Sequence, residues 1–338
     1  MRTVIGITIL AGLLAGISAM ASDDLEQGFR KPPGRTKPQM GGLLVGSTAR
    51  APGADGDANP SPAAASLEAG ILRAQIPGKV PTPAEDKLAL TISRQYGADR
   101  RDFSLGKNRA FVILPTKPSA DGNNPWVWYA PTFPGSYPGE DHAWMFTQLL
   151  ERGFAIAGIN VGESYGSPDG RVAYSQLYDH LVQKYGLARK ACLLPQSRGG
   201  LMLYNWAAEN PEKVQCIGGI YTVGDLRSYP GLHAACAAYH MSEAELQARL
   251  ADHNPIERLA PLAKAQVPIL HLHGDHDTLV PLEKNSGELV KRYQALGGPG
   301  ELIVIPGKGH QVCDEFFKCQ RLVDFFLSQG HPVIRANN

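Results

Sequence analysis

The stretch from Ala191 to Glu209 constrains the fold of this chain more than any other. It begins with an apolar run typical of a buried strand, two glycines follow Ser197 closely, and the residues after them have apolar positions at helical spacing. The predicted order is a strand, a sharp turn and a helix. A serine at such a turn projects its hydroxyl above the sheet edge, where the helix N-terminus directs backbone N–H groups at any oxyanion formed beside it. Ser197 is therefore the candidate nucleophile.

The turn differs at one position from the Gly-x-Ser-x-Gly pattern of such nucleophiles. Pro195 stands where the first glycine is expected, whereas Gly199 keeps the second. A competing interpretation is a serine that caps a buried helix, with the two glycines loosening its first turn. The choice between the two depends on whether the chain supplies partners for the serine.

From about residue 84 onwards, predicted strands alternate with predicted helices. Strands are expected at 103–105, 110–114, 126–130, 154–161, 214–221, 269–273 and 302–305, and helices at 143–151, 172–185 and 314–327. This alternation predicts an α/β fold with a mostly parallel, doubly wound sheet in a catalytic domain at 84–338. The one long insertion, at about 225–265, contains a capping box beginning at Ser242 and is expected to form a small cap; a plain surface excursion is the alternative.

The first 83 residues are of a different kind. Residues 1–21 combine Arg2, a short apolar run and an Ala-x-Ala end, which is typical of a secretory signal peptide cleaved after Ala21. The run is shorter than the roughly 20 residues of a membrane-spanning helix, so we expect no stable membrane anchor. Residues 22–83 are rich in Pro, Gly, Ala and Ser and are interpreted as a linker or arm. The protein is expected in the periplasm or the medium.

Charge and cysteine content narrow the classes of partner. Lys and Arg number 33 against 32 Asp and Glu, with no basic run, so nucleic acid is not an expected partner. The five cysteines are an odd number, so at least one lacks a partner within the chain. Cys192 and Cys216 lie in apolar runs and are expected to be core thiols. The expected bridge involves Cys313 and Cys319, with each other or with Cys236.

The partners that a nucleophilic serine needs follow two later strands. A serine hydroxyl requires a base beside it, and the base requires a carboxylate that holds its tautomer. Asp277 comes just after one predicted strand, and His310 lies in a glycine-containing loop after the next. Carboxyl-end loops of a parallel sheet converge on one crevice, and the chain order of Ser, Asp and His is that of hydrolases built on such a sheet. Asp275 and Asp225 are alternative positions for the acid.

One competing motif has a different chemistry. The residues His271-x-His273-x-Asp275-His276 match the His-x-His-x-Asp-His pattern of dinuclear zinc hydrolases. The motif lies late in the chain, on a strand expected to be buried on both faces. We therefore expect His271 to be a hydrogen-bonded core residue and His276 a loop residue, with no metal and no cofactor.

From about Arg109 to Gly330 the chain resembles the α/β-hydrolase superfamily, on its prolyl-oligopeptidase and dienelactone-hydrolase-like side. The resemblance is carried by the segments 197–201, 205–208, 254–256 and 273–281, the last reading His-Gly-x-x-Asp-x-x-Val-Pro. It implies that Ser197 is the nucleophile, His310 the general base and Asp277 the orienting acid. More narrowly, the chain is similar to secreted bacterial hydrolases, some of which are carbohydrate esterases of plant cell-wall polysaccharide.

The resemblance also implies positions for the oxyanion hole, and residues in the neighbouring loops are candidates for substrate contacts. The oxyanion hole is expected to use the backbone N–H of Arg198 and that of Phe133, in the loop after the 126–130 strand. The Arg198 guanidinium either covers the helix end or binds a substrate carboxylate. Tyr137, Trp144 and Tyr165 lie near the expected crevice, where they either stack on sugar rings or only pack.

These expectations lead to one main hypothesis and two alternatives. The main one is a monomeric, secreted serine ester hydrolase acting on cell-wall carbohydrate esters, either uronate methyl esters or O-acetyl groups. A prolyl-oligopeptidase-like peptidase has the same triad, but such enzymes usually carry a large additional N-terminal domain. A catalytically silent binding module is the third, and an intact triad argues against it.

Overall fold

A computed structural model describes residues 90–117, 119, 122–132 and 138–331. These residues all fall within one unit of the chain, Lys79–Asn338. The expected signal peptide at 1–21 and the arm at 22–83 lie outside the described residues, as do Phe133 and Tyr137. Predictions about these four therefore stay predictions.

The described residues form a sheet of nine strands. The strands are β1 (Thr91–Gln95), β2 (Ala98–Leu105), β3 (Asn108–Ile113), β4 (Trp126–Ala130), β5 (Ala155–Ile159), β6 (Ala191–Pro195), β7 (Val214–Ile220), β8 (Ile269–Gly274) and β9 (Gly300–Ile305). Their spatial order is β1-β2-β3-β5-β4-β6-β7-β8-β9. The pairs among β1, β2, β3 and β5 are antiparallel, and those from β5 to β9 are parallel. The α/β prediction with a mostly parallel sheet is confirmed.

Helices cover both faces of the sheet. They are α1 (Ala143–Glu151), α2 (Pro168–Tyr185), α3 (Gly199–Glu209), α4 (Leu232–Tyr239), α5 (Glu243–Ala248), α6 (Leu250–His253), α7 (Ala260–Lys264), α8 (Ser286–Ala295), α9 (Asp314–Phe317) and α10 (Gln320–Gly330). One apolar cluster lies between the sheet and α2, α3, α7 and α8, and a second between the sheet and α1, α9 and α10. A third, smaller cluster joins α4, α5 and α6 to the loops after β7 and β8. No helix within the described ranges is long and apolar enough to cross a membrane.

The sequence prediction was wrong for the last helix. A single helix was expected over 314–327, but the chain forms α9 and α10, and Cys319 between them has an extended backbone (φ −76°, ψ 105°). Phe316 and Phe317, at the end of α9, are fully buried against the second cluster. The break lets these two rings turn inwards while α10 packs a separate apolar stripe on the sheet.

The expected disulfide is also absent, since all five cysteines in the described ranges are free. Cys313 and Cys319 are instead the residues that precede α9 and α10. The Cys236 thiol donates to the carbonyl of Leu232 at 3.2 Å inside α4. Cys192 and Cys216 are buried on adjacent strands, as predicted.

Candidate active site

Ser197 lies at the turn between β6 and α3. Its backbone has a φ of +49°, a left-handed conformation that a non-glycine residue adopts only where its surroundings hold it. Those surroundings are hydrogen bonds to the neighbouring chain: Ser197 N–H donates to Ile220 O at 3.0 Å, and Val223 N–H donates to Ser197 O at 2.9 Å. The strained turn is thereby fixed to the end of β7.

The glycine at 199 allows the turn to approach the sheet. A Cβ atom on Gly199 would lie 2.1 Å from the carbonyl oxygen of Ala130, at the end of β4. No real Cβ makes such a contact with a backbone atom, so only glycine permits α3 to begin this close to β4. This explains in physical terms why the pattern keeps its second glycine when Pro195 replaces the first.

The structure brings the three predicted side chains together in a continuous chain. Ser197 Oγ lies 2.9 Å from His310 Nε2, and His310 Nδ1 lies 2.8 Å from Asp277 Oδ2. The Asp277 side chain is fully buried, whereas 15% of the surface of the His310 side chain is exposed. The base is therefore open to a substrate and the acid is shielded from water.

Another close approach sets the position of the His310 loop. A Cβ atom on Gly274, at the end of β8, would lie 2.0 Å from the carbonyl oxygen of Lys308. His276 N–H donates to the same oxygen at 3.0 Å. The glycine of the His-Gly-x-x-Asp motif thus allows the loops carrying Asp277 and His310 to lie side by side.

Asp277 is held as a carboxylate by the groups around it. Its Oδ1 accepts the backbone N–H groups of Leu279 and Val280 at 3.1 and 2.8 Å, and its Oδ2 faces His310 and His273. Burial opposes ionisation, but the hydrogen bonds outweigh it and hold the pKa of this carboxyl well below its usual range. The acid is ionised at neutral pH and orients the Nδ1–H of the imidazole.

A buried polar network that the sequence analysis missed lies behind the turn. Gln196 Oε1 accepts from Tyr129 Oη at 2.9 Å and from His142 Nε2 at 2.8 Å, and Gln196 Nε2 donates to Tyr221 Oη at 2.9 Å. The Tyr221 ring in turn packs on His310, with centroids 4.4 Å apart. The network connects the start of α1, the serine turn and the base. These residues share no motif, and only the position of Tyr221 directly after β7 gave a signal.

Two of three comparisons find proteins that are similar to this chain. The sequence profile described as "Prolyl oligopeptidase family" matches residues 175–329, which contain Ser197, Asp277 and His310. A search of curated proteins finds no match. Many solved structures are similar, and some of them are matched over almost their whole length. The chain has the α/β-hydrolase fold.

Two of the similar structures match over almost their whole length. An S-formylglutathione hydrolase from Agrobacterium tumefaciens has a TM-score of 0.55 and 14% identity, with 71% of this chain and 99% of that chain covered. Est1E from Butyrivibrio proteoclasticus has a TM-score of 0.50 and 16% identity, with 71% and 98% covered. At these identities the likeness is one of fold.

A third similar structure is a longer protein. A puromycin hydrolase has a TM-score of 0.52 and 20% identity, with 68% of this chain covered. The chain described here spans only 38% of the puromycin hydrolase's length. The profile match, which covers less than half of the chain, and the fold are those of a serine hydrolase.

Arg198 takes part in a charged cluster beside the nucleophile. It is the residue that precedes α3, so its backbone N–H lies at the helix N-terminus. Its guanidinium forms an ion pair with Glu163 and lies 5.7 Å from the centre of the Tyr229 ring. Tyr165 lies beside Glu163, and burial, with the Glu163 charge, raises the pKa of its hydroxyl. The side chain therefore does more than cover the helix end, and sequence reasoning did not find Glu163 or Tyr229.

The other candidates for the acid lie away from His310. Asp275 Oδ1 accepts from His276 Nδ1 at 2.7 Å and from Gly307 N–H at 2.6 Å, which makes it a loop former. Asp225 forms a bidentate pair with Arg227 and accepts from Asn254 at 3.0 Å. Trp144 is partly buried against the apolar cluster under α1.

The residues of the zinc-like motif are dispersed. His271 contacts Tyr204 Oη at 2.8 Å and Ser286 Oγ at 3.0 Å inside the core, and burial lowers its pKa to about 3. His276 pairs with Asp275 at the surface. In the part of the chain that the structure describes, no three His, Cys, Asp or Glu side chains are arranged to hold a metal ion.

Proposed function

We propose that this α/β-hydrolase cleaves carboxylic esters through an acyl-enzyme formed on Ser197. The observation that carries the proposal is the unbroken chain of contacts from Ser197 Oγ through His310 to Asp277, at 2.9 and 2.8 Å. Serine, imidazole and buried carboxylate in this order are what nucleophilic attack by a weakly acidic hydroxyl requires.

The proposed reaction has two halves. Ser197 Oγ attacks the acyl carbon while His310 Nε2 takes its proton, and the N–H of Arg198 stabilises the oxyanion; Phe133 is the predicted second donor. The tetrahedral intermediate releases the alcohol, which takes the proton back from His310. Water then attacks the acyl-enzyme with the same base, which frees the acid and regenerates Ser197.

We further propose that the substrates are carbohydrate esters, as uronate methyl esters or O-acetyl groups. Support comes from the residue after the nucleophile, Arg198, whose guanidinium pairs with Glu163 and lies over the Tyr229 ring, with Tyr165 close to Glu163. Charged groups and tyrosine rings suit the hydroxyls and faces of sugars better than an alkyl chain. Export to the periplasm or medium, which residues 1–21 predict, would bring the enzyme to the compartment of such polymers. Tyr137 remains a predicted substrate contact.

A peptidase is the second candidate, and the profile match at 175–329 favours it. The same triad attacks amides and esters, so the contacts at Ser197 support both reactions equally. What distinguishes the two is the leaving group that the surroundings of the triad accept.

Labelling with a fluorophosphonate, followed by a substrate panel, tests these proposals. Wild type is expected to label at Ser197, and Ser197→Ala to lose labelling and hydrolysis while remaining folded by circular dichroism. Release of acetate or methanol from xylan or pectin supports the carbohydrate esterase, and cleavage of a prolyl peptide without ester release supports the peptidase. Undiminished turnover by Ser197→Ala contradicts the acyl-enzyme itself.

A further inference from the structure

His273 is a buried imidazole that the proposed mechanism does not use. It lies at the penultimate position of β8, is wholly buried, and its Nε2 lies 3.3 Å from Asp277 Oδ2. His310 Nδ1 approaches that same oxygen at 2.8 Å from the other loop. Two imidazoles therefore face one carboxylate oxygen.

The hydrogen bonds of His273 define its tautomer. Its Nε2 lies 2.8 Å from the carbonyl oxygen of Val280, which only accepts, so the proton is on Nε2. Its Nδ1 is buried and has no hydrogen-bond partner among the described residues. The Nε2–H of the ring is thus shared between Val280 O and Asp277 Oδ2.

Each oxygen of the Asp277 carboxylate therefore faces two hydrogen-bond donors. Backbone N–H groups of Leu279 and Val280 occupy Oδ1, and the two imidazoles occupy Oδ2. A carboxylate oxygen that accepts a second hydrogen bond has less negative charge to offer the first donor. The N–H of His273 therefore weakens the hold of Asp277 on a protonated His310 and fixes the direction of Oδ2.

We propose that His273 is a positioning residue that acts through Asp277 to set the orientation and the basicity of His310. The inference rests on the proposed role of the Ser197–His310–Asp277 triad. It does not depend on whether the substrate is an ester or a peptide.

Few other titratable groups face this pair. Around His310, the described residues contribute Ser197 from the turn, Asp277 after β8 and Tyr221 after β7. The nearby charges are paired with one another: Lys308 with Glu315 at 2.7 Å, and Asp275 with His276 at 2.7 Å. A change in the titration of His310 on substitution of His273 is therefore transmitted through Asp277.

The test is the pH dependence of fluorophosphonate labelling in the full chain, because labelling reports the activated serine with any substrate class. His273→Phe removes both ring nitrogens and is expected to slow labelling about tenfold to a hundredfold, the range known for the loss of a hydrogen-bond partner behind a metal-binding side chain. The acid limb, which is the pH at which the labelling rate falls on the acid side, is expected to move up by about half a pH unit. The reason is that Asp277 then holds protonated His310 more strongly. His273→Gln carries an N–H close to the position of Nε2 and is expected to restore both the rate and the limb.

His271 provides the matched control, since it is buried two residues earlier on β8 but contacts Tyr204 and Ser286 instead of Asp277. His271→Phe is expected to lower stability without moving the acid limb. Equal limbs in His273→Phe, His271→Phe and wild type overturn the inference, as does a failure of His273→Gln to differ from His273→Phe. If His273→Phe does not fold, His273→Gln and His273→Asn are compared with wild type. An acid limb that is unchanged in His273→Gln and shifted in His273→Asn supports the inference. Equal acid limbs in wild type and both variants overturn it. A wild type that does not label contradicts the proposed function instead.

Discussion

At the scale of single residues, two aspartates two positions apart have different surroundings. Asp277 is buried and directed at His310, whereas Asp275 is exposed and holds the turn through His276 and Gly307. In Asp277→Asn the amide would donate to His310 Nδ1 and force the proton onto Nε2, where it blocks the transfer from serine. We expect kcat for p-nitrophenyl acetate to fall by about 10⁴.

The matched control is Asp275→Asn, which keeps the oxygen that accepts from His276 and Gly307. Its kcat is expected to stay within about threefold of wild type, as for most surface substitutions. Loss of activity in Asp275→Asn with Asp277→Asn active would reverse the assignment of the acid.

The same scale shows where sequence reasoning ends. Ser197, Asp277 and His310 were found because each follows a strand in an order with chemical meaning. Gln196, His142 and Tyr221 were missed, since their network depends on which way side chains point behind the turn, and no spacing encodes that. The contact of His273 with Asp277 was likewise missed, because it depends on how the loop that carries Asp277 and Val280 folds back on β8.

At the scale of elements, the meeting of β4, β6 and α3 determines the serine turn. An added Cβ on Gly199 would lie 2.1 Å from Ala130 O, a backbone atom that moves only with the whole strand. Gly199→Ala is therefore expected to lose about 1–3 kcal/mol of unfolding free energy, as overpacked cores do. It should also lower kcat, because Ala130 leads into the predicted oxyanion loop. Urea unfolding and ester turnover measure the two effects.

Gly300→Ala is the control for this substitution. The nearest atoms to its added Cβ are side-chain carbons of Tyr293 and Val290 at 3.2 and 3.4 Å, at the far end of β9 from His310. We expect a smaller loss of stability than in Gly199→Ala and an unchanged kcat. Equal losses from both substitutions would mean that the approach of α3 to β4 has no special role.

Two elements with strong apolar patterns were predicted with their bounds, whereas two more polar elements were missed or misplaced. The predicted 126–130 strand and 143–151 helix coincide with β4 and α1. The first strand, β1, was missed because four of its five residues are exposed and its sequence, TISRQ, lacks an alternating pattern. The start of α2 was placed four residues too late, since Pro168 at its first position reads as a breaker until the helix after it is known.

At the scale of the whole molecule, burial of neutral histidines couples stability to pH. His271, His253 and His142 are 0%, 2% and 1% exposed. Burial lowers the pKa of His271 to about 3 and that of His253 to about 4, and it also lowers the pKa of His142. In the unfolded chain each imidazole titrates near about 6.5, so below that pH the unfolded chain binds protons that the folded chain does not. This contribution to stability is complete above about pH 6.5 and is lost progressively towards about pH 3.

Unfolding free energy is therefore expected to fall between about pH 7.5 and about pH 5, well above the range in which the depressed pKa of Asp277 matters. His253→Leu isolates one contribution, because neither ring nitrogen of His253 has a hydrogen-bond partner within the described ranges. At about pH 7.5 the leucine should change stability by less than about 1.5 kcal/mol, since the site then loses only a neutral, unpaired ring. At about pH 5 the variant should lose less stability than wild type does, because leucine removes one proton uptake on unfolding. Urea denaturation at both pH values measures the unfolding free energy of the two proteins. Equal losses of stability in wild type and His253→Leu would show that His253 is not a buried neutral imidazole.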